Sequence, residues 1–136
     1  MWRTLTITLG LVPLSLASSY AASFDGNWSV IQACDTTKEG ARGYTWRYDA
    51  TVKDGHLLGQ YRVKGQSPSL TLEGYIRPDG TGSFAAKGIS GDADHNVGFA
   101  QAQTPISFAV TAKFEGAAGT GKREGTRSCK FTFAKH

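Results

Sequence analysis

Hydrophobic and polar residues alternate strictly from Tyr44 to Lys53. Every even position in this segment is aromatic or aliphatic, and every odd position is Thr, Arg, Asp or Lys. A period of two is typical of a β-strand with one face in the core and the other in solvent. The dipeptide Asp-Gly at 54–55 favours a tight turn, and the alternation resumes at 57–63. The segment is therefore predicted to form a β-hairpin.

The same alternation recurs along most of the remaining chain. Further strands are predicted near residues 26–34, 70–77, 82–88, 106–114 and 127–133. A weaker, glycine-rich strand is predicted between the last two of these, and no segment after residue 21 has a helical period. Seven or eight short strands joined by tight turns predict an all-β fold. Glycines at inward strand positions favour an antiparallel up-and-down β-barrel, because its sheet must bend sharply to close.

The segment from Ser90 to Gln103 interrupts this pattern and is predicted to be the longest loop. Long loops in compact domains are often functional. Within it, residues 92–96 place side-chain oxygens at alternate positions, as calcium-binding loops do. The calcium pattern requires Gly where this chain has Val97 and Glu where it has Gln103. Asx-turn chemistry explains the same residues, so we predict no metal site.

The N-terminal residues 1–21 have the features of a secretory signal peptide. Arg3 precedes an apolar run at 5–17, and small residues follow at 19–21. The apolar run is shorter than the roughly 20 residues that a membrane-spanning helix needs. We therefore expect export to the periplasm or beyond the cell, no membrane span, and a single mature domain at 22–136.

The chain has two cysteines, Cys34 in the first predicted strand and Cys129 in the last. Disulfides persist in oxidising compartments, to which an exported protein is delivered. The two cysteines are therefore predicted to form one disulfide that ties the first strand to the last. Such a bond suits a closed barrel.

The formal net charge is +4, and most basic residues fall on the polar faces of their strands. A denser group near the C-terminus comprises Lys122, Arg123, Arg127, Lys130 and Lys135. This group is predicted to form a surface patch that attracts anionic glycans or lipid head groups. It lacks interleaved exposed aromatic residues, and the protein is expected to be exported, so nucleic acid is not a predicted partner.

The chain contains none of the common catalytic motifs. It has no Gly-x-Ser-x-Gly, no metal-binding His pair and no Gly-rich loop that leads into a helix. His56, His95 and His136 are predicted to lie in a turn, a loop and the C-terminus. The carboxylates of Asp49 and Glu73 are on solvent faces. We therefore expect a protein that is not an enzyme and that needs no cofactor.

The first strand begins with Gly26-Asn27-Trp28, which resembles the Gly-x-Trp opening of the lipocalin and avidin-like (calycin) barrels. In those families the Trp packs under a basic side chain from the last strand. The resemblance implies a barrel with a ligand-accepting interior, and it assigns to Arg127 the role of covering Trp28 at the closed end. Small exported barrels that inhibit proteases or lysozymes have a similar size and a single disulfide.

Many aromatic residues share the predicted inward face. They are Trp28, Tyr44, Trp46, Tyr48, Tyr61, Phe84, Phe108, Phe131 and Phe133. These side chains either fill the core or line a pocket for a small apolar or aromatic ligand. The predicted ligand contacts are Trp28, Tyr44, Trp46, Tyr48, Tyr61 and Phe108. If the interior is full, the loops would instead act outside the barrel, by inhibiting a hydrolase or by docking on an anionic envelope component.

Overall fold

The computed structural model describes residues 24–136 together with residues 4, 6–8 and 10. The predicted signal peptide and the predicted mature start at Ala22 therefore lie outside the described residues, apart from those few isolated positions. Among the residues that are described, no helix has the length and hydrophobicity needed to cross a bilayer.

Eight antiparallel strands form a closed barrel. They are β1 (Gly26–Cys34), β2 (Tyr44–Lys53), β3 (His56–Tyr61), β4 (Ser69–Ile76), β5 (Thr81–Ile89), β6 (Pro105–Glu115), β7 (Ala118–Arg123) and β8 (Cys129–Lys135). Each strand pairs with the next in sequence, and β8 pairs with β1. Two short 3₁₀ turns, Ala93–His95 and Val97–Phe99, are the helical segments of the described chain. The predicted all-β, up-and-down barrel is confirmed.

The predicted hairpin is confirmed and consists of β2 and β3. Asp54 and Gly55 have φ values of 52° and 77°, the left-handed backbone that a two-residue hairpin turn requires. The carboxylate of Asp25 accepts hydrogen bonds from the backbone N–H groups of both turn residues, at 2.8 and 3.1 Å. The second strand is shorter than predicted, because it ends at Tyr61 and leaves Val63 in the following loop with 63% of its surface exposed.

The two ends of the barrel differ in their connections. Tight turns join β2 to β3, β4 to β5 and β6 to β7 at one end, which we call the closed end. The connections 35–43, 62–68, 90–104 and 124–128 are at the other end, which we call the open end. This asymmetry places all the longer loops around one barrel mouth.

The closed end is filled by aromatic side chains. Trp28 has no exposed surface, and its indole N–H donates a 2.8 Å hydrogen bond to the carbonyl oxygen of Phe24. The Trp28 ring meets the Phe114 ring edge-on, with centroids 5.3 Å apart. Phe114 also packs against Phe84 and Phe133, at 6.1 and 4.8 Å. Edge-to-face aromatic packing of this kind stabilises a protein core.

The predicted contact between Arg127 and Trp28 is wrong. Arg127 precedes β8 at the open end, whereas Trp28 pairs with Lys135 at the closed end. A strand of seven residues separates the two positions, which corresponds to about 20 Å. Lys135 is therefore the basic residue of the last strand that lies beside Trp28.

The predicted disulfide between Cys34 and Cys129 is confirmed, with the two sulfur atoms 2.04 Å apart. The two cysteines are direct partners in the β1–β8 pairing, so the bond joins the strands that close the barrel. Two inward glycines lie where neighbouring strands approach too closely for a side chain. A Cβ atom on Gly74 would lie 2.0 Å from the carbonyl oxygen of Ser83, and one on Gly88 would lie 2.0 Å from that of Ser69.

Candidate functional site

The open end of the barrel contains a cavity of about 350 Å³. Residues of β2, β6 and β7, the loops at 90–104 and 124–128, and two residues of the loop at 62–68 surround it. Its lining residues are Tyr44, Trp46, Ser67, Pro68, Ser90, Gly91, Asp92, His95, Asn96, Val97, Ala100, Thr104, Pro105, Ile106, Arg123 and Arg127. The cavity thus combines aromatic and aliphatic groups with a few polar and charged ones, as small-molecule sites do.

One wall of the site is a stack of aromatic rings. Trp46 and Tyr61 are nearly parallel, with centroids 4.4 Å apart and 9° between their planes. Tyr44 lies 4.5 Å from Trp46, and Tyr48 lies 6.1 Å from Tyr61. The even positions of β2 all point inward, which brings three of these four rings to the same wall. Tyr44 and Trp46 are half-buried and line the cavity, so they offer aromatic surface to a ligand.

The other predicted ligand contacts have different positions. Trp28 is excluded, because it is fully buried at the closed end. Tyr61 supports Trp46 from behind, and Phe108 lies beneath the guanidinium of Arg123. Tyr48 is 7% exposed, and its hydroxyl donates a 3.0 Å hydrogen bond to the side-chain carbonyl of the buried residue Gln32. These three side chains support the lining rather than form it.

Arg127 was predicted to lie in a surface patch, but it is only 3% exposed and lines the cavity. Its two terminal nitrogens donate hydrogen bonds to the carbonyl oxygens of His95, Ala41 (3.1 Å) and Arg42 (3.2 Å). Its guanidinium carbon lies 5.2 Å from the centroid of the Tyr44 ring. The Nε atom is buried and has no hydrogen-bond partner among the described residues. Arg127 thus joins two loops to the start of β8 and still has an unused donor.

Arg123 ends β7 and also lines the cavity. Its guanidinium carbon lies 4.1 Å from the centroid of the Phe108 ring, and its buried Nε has no hydrogen-bond partner within the described chain. Burial lowers the pKa of the Arg123 guanidinium; Tyr44 opposes this shift, and the positive charge of Arg127 adds to it. The second arginine of the predicted surface patch is therefore also part of the cavity.

The remaining members of the predicted patch do not form a single surface. Lys122 and Lys130 are exposed partners on β7 and β8, and Lys122 forms an ion pair with Glu124 at 3.3 Å. Lys135 lies at the closed end. The patch is divided because successive side chains of a strand point to opposite faces, so Lys122 faces solvent where Arg123 faces the interior.

Burial also affects the two tyrosines of the site. It raises the pKa of the Tyr44 hydroxyl, although the charges of Arg127 and Arg123 oppose the shift. It raises the pKa of the Tyr48 hydroxyl more strongly. Both phenols are therefore neutral hydrogen-bond donors at physiological pH.

The loop at 90–104 is held over the cavity by its own hydrogen bonds. The side-chain amide of Asn96 donates to the carbonyl oxygens of Gly91 and Ala100, at 2.9 and 2.8 Å. The hydroxyl of Ser90 accepts a 3.0 Å hydrogen bond from the backbone N–H of Thr104. Among the described residues, no group of three or more His, Cys, Asp or Glu side chains is arranged to hold a metal ion. Through its two hydrogen bonds, the side chain of Asn96 orders the loop.

Comparisons with protein-family models, with curated proteins and with solved structures gave no significant match. The geometry of the cavity is consequently the basis for a functional proposal.

Proposed function

We propose that the protein is an exported, non-enzymatic binding protein that holds a small apolar or aromatic ligand in the open end of its barrel. The observation that carries this proposal is the cavity of about 350 Å³, with Tyr44 and Trp46 on its wall. Ligand sites usually have volumes of about 300 to 1,000 Å³, so a cavity of this size suits a small molecule. The disulfide supports export, because such bonds persist in oxidising compartments.

The contrast between the two barrel ends also supports a binding role. The aromatic rings of the closed end are buried, whereas at the open end Tyr44 and Trp46 remain half-buried. Both side chains project from the part of β2 that pairs with β1, and the Trp46 ring is stacked on Tyr61 of β3. A rigid wall of this kind is formed before a ligand arrives, which reduces the entropy lost on binding.

The alternative functions, inhibition of a hydrolase or docking on an anionic envelope component, receive no such support. The docking hypothesis depended on a continuous basic surface, and Arg123 and Arg127 face the cavity instead. No feature of the loops favours an inhibitor over a carrier.

A titration with a neutral fluorescent aromatic, N-phenyl-1-naphthylamine, tests the proposal. The probe should bind in a 1:1 complex, with increased emission, and it should raise the melting temperature, because a ligand of the native state stabilises it by mass action. Trp46→Ala should weaken binding about tenfold, since an aromatic pair contributes roughly 0.5 to 1.5 kcal/mol beyond its buried area.

Tyr75→Ala is the matched control, because this aromatic side chain is 65% exposed on the outer wall. It should leave the affinity for the probe unchanged. Absence of saturable binding to the wild-type protein, or equal effects of the two substitutions, would contradict the proposed function.

A further inference from the structure

Two guanidinium groups line the cavity without a carboxylate partner. Among residues 24–136, the ion pairs are His56–Glu73, Lys122–Glu124 and His136–Asp49, and none of them lies in the cavity. Asp92 is the one acidic residue in the lining, and it is exposed to solvent. With Arg123 and Arg127 both charged, the cavity has a net positive charge.

A buried cation without an opposite charge is unfavourable in a folded protein. The charge of Arg127 therefore needs compensation from the groups around it. Three backbone carbonyl oxygens compensate its charge in part. Their dipoles do not supply the full negative charge of an ion, so the cavity remains attractive to an anion.

Arg123 is better placed than Arg127 to contact such an anion directly. The terminal nitrogens of Arg127 are already engaged by the carbonyl oxygens of two loops. Arg123 is half-buried, one face of its guanidinium covers the Phe108 ring, and its Nε has no partner. A planar guanidinium with free donors binds carboxylate and related oxyanions through paired hydrogen bonds.

The aromatic wall lies beside these charges. The Arg127 guanidinium is 5.2 Å from the centroid of the Tyr44 ring, which in turn is 4.5 Å from that of Trp46. Building on the proposed function, we propose that the ligand is a planar aromatic anion. Its carboxylate or sulfonate group binds Arg123, Arg127 contributes positive charge, and its ring lies against Tyr44 and Trp46.

Two probes with the same aromatic scaffold provide a direct test. N-phenyl-1-naphthylamine is neutral, whereas 8-anilinonaphthalene-1-sulfonate carries one added sulfonate group. The wild-type protein should bind the sulfonate at least about tenfold more tightly than the neutral probe, which is the usual scale for a charge-assisted hydrogen bond. The affinity for the sulfonate should fall as salt is added, and the affinity for the neutral probe should not.

Arg123→Met should weaken binding of the sulfonate about 10- to 100-fold more than it weakens binding of the neutral probe, because only the sulfonate pairs with the guanidinium. Lys122→Met is the matched control, because it removes the same charge from the adjacent, exposed position. It should leave both affinities unchanged. Retained binding of the neutral probe by Arg123→Met also shows that the variant is folded. If that variant does not fold, the probe preference and the salt dependence of the wild-type protein decide whether the ligand is an anion.

The outcomes separate this inference from the proposed function. Equal affinities of the wild-type protein for the two probes would overturn the inference that the ligand is an anion, and so would equal effects of Arg123→Met and Lys122→Met on binding of the sulfonate. Neither result would contradict the proposed function. Failure of both probes to bind the wild-type protein would overturn the proposed function and this inference with it.

Discussion

Replacement of Arg127 by Met is expected to loosen two loops at the open end, one of which lines the cavity. The guanidinium donates to the carbonyl oxygens of Ala41 and Arg42 in the connection 35–43 and of His95 in the connection 90–104. A Met side chain fills a similar volume but supplies no donor and no charge. The substitution therefore tests how much these hydrogen bonds contribute to stability.

The expected loss of stability depends on which hydrogen bonds each carbonyl oxygen keeps in the variant. Ala41 still accepts from the backbone N–H of Thr37, at 2.9 Å, and the oxygen of Arg42 keeps its 3.2 Å contact with the His95 ring. The oxygen of His95, which is part-buried, loses the guanidinium donor, and an unsatisfied acceptor costs up to about 1 to 3 kcal/mol when it is shielded from water. Loss of the contact with the Tyr44 ring adds about 0.5 to 1 kcal/mol, while removal of a buried charge recovers part of the total. We expect a net decrease of about 2 kcal/mol in the free energy of unfolding, or roughly 10 °C in melting temperature for a domain of this size.

Urea denaturation, followed by tryptophan fluorescence, measures this change. Lys87→Met is the control, because Lys87 is exposed on the outer face of β5 and should cost less than about 0.5 kcal/mol. Limited proteolysis should also cut within 35–43 or 90–104 sooner in Arg127→Met than in the wild-type protein. Equal stability losses in the two variants, with unchanged proteolysis, would refute the role assigned to these hydrogen bonds.

Three further predictions concern the barrel itself. Reduction of the Cys34–Cys129 disulfide should lower the free energy of unfolding by about 4 to 5 kcal/mol in the chain-entropy model, because the bond spans a sequence separation of 95. Identical urea transitions with and without reductant would contradict this. Gly74→Ala should cost more than about 2 kcal/mol by urea denaturation, because no space exists for a Cβ atom, whereas Ser83→Ala on the outer face should cost under about 0.5 kcal/mol. Burial raises the pKa of the Tyr48 hydroxyl above its ordinary 10.0, so the unfolded state loses this proton at a lower pH than the folded state does. The free energy of unfolding should therefore decline above pH 10, by up to ~1.4 kcal/mol per pH unit. Tyr48→Phe should make that decline shallower in urea titrations at pH 9, 10 and 11, and an unchanged slope would exclude Tyr48 as its source.

The fold was predictable because it depends on a pattern that every strand repeats. Alternation decides which face of each strand is buried, and short turns between strands favour pairing of sequence neighbours. The end of β3 was predicted less well. Val63 continues the alternation but lies outside the strand, since Arg62 has a φ of 57° and turns the chain away. A periodic pattern cannot reveal where the backbone leaves the sheet.

The cavity was predictable only in part, because the same aromatic residues could fill a core or line a site. Their role depends on the end of the barrel at which each one lies. The alternation shows only that a side chain points inward, and it does not show at which end. Trp28 and Trp46 both point inward, yet one is fully buried at the closed end and the other lines the cavity. Arg123 shares the inward phase of Gly119 and Gly121, a signal that was present in the sequence. Its position among other basic residues suggested a surface patch instead.

The position of Arg127 could have been derived from the disulfide prediction itself. In an antiparallel pair, each step towards the end of one strand is a step towards the start of the other. Once Cys34 is opposite Cys129, Trp28 must be opposite Lys135, as the structure shows. Arg127, which precedes Cys129, must then lie beyond the cysteine end of β1. The charge of Arg127 consequently belongs to the mouth of the barrel, next to Tyr44, and not beside the core tryptophan.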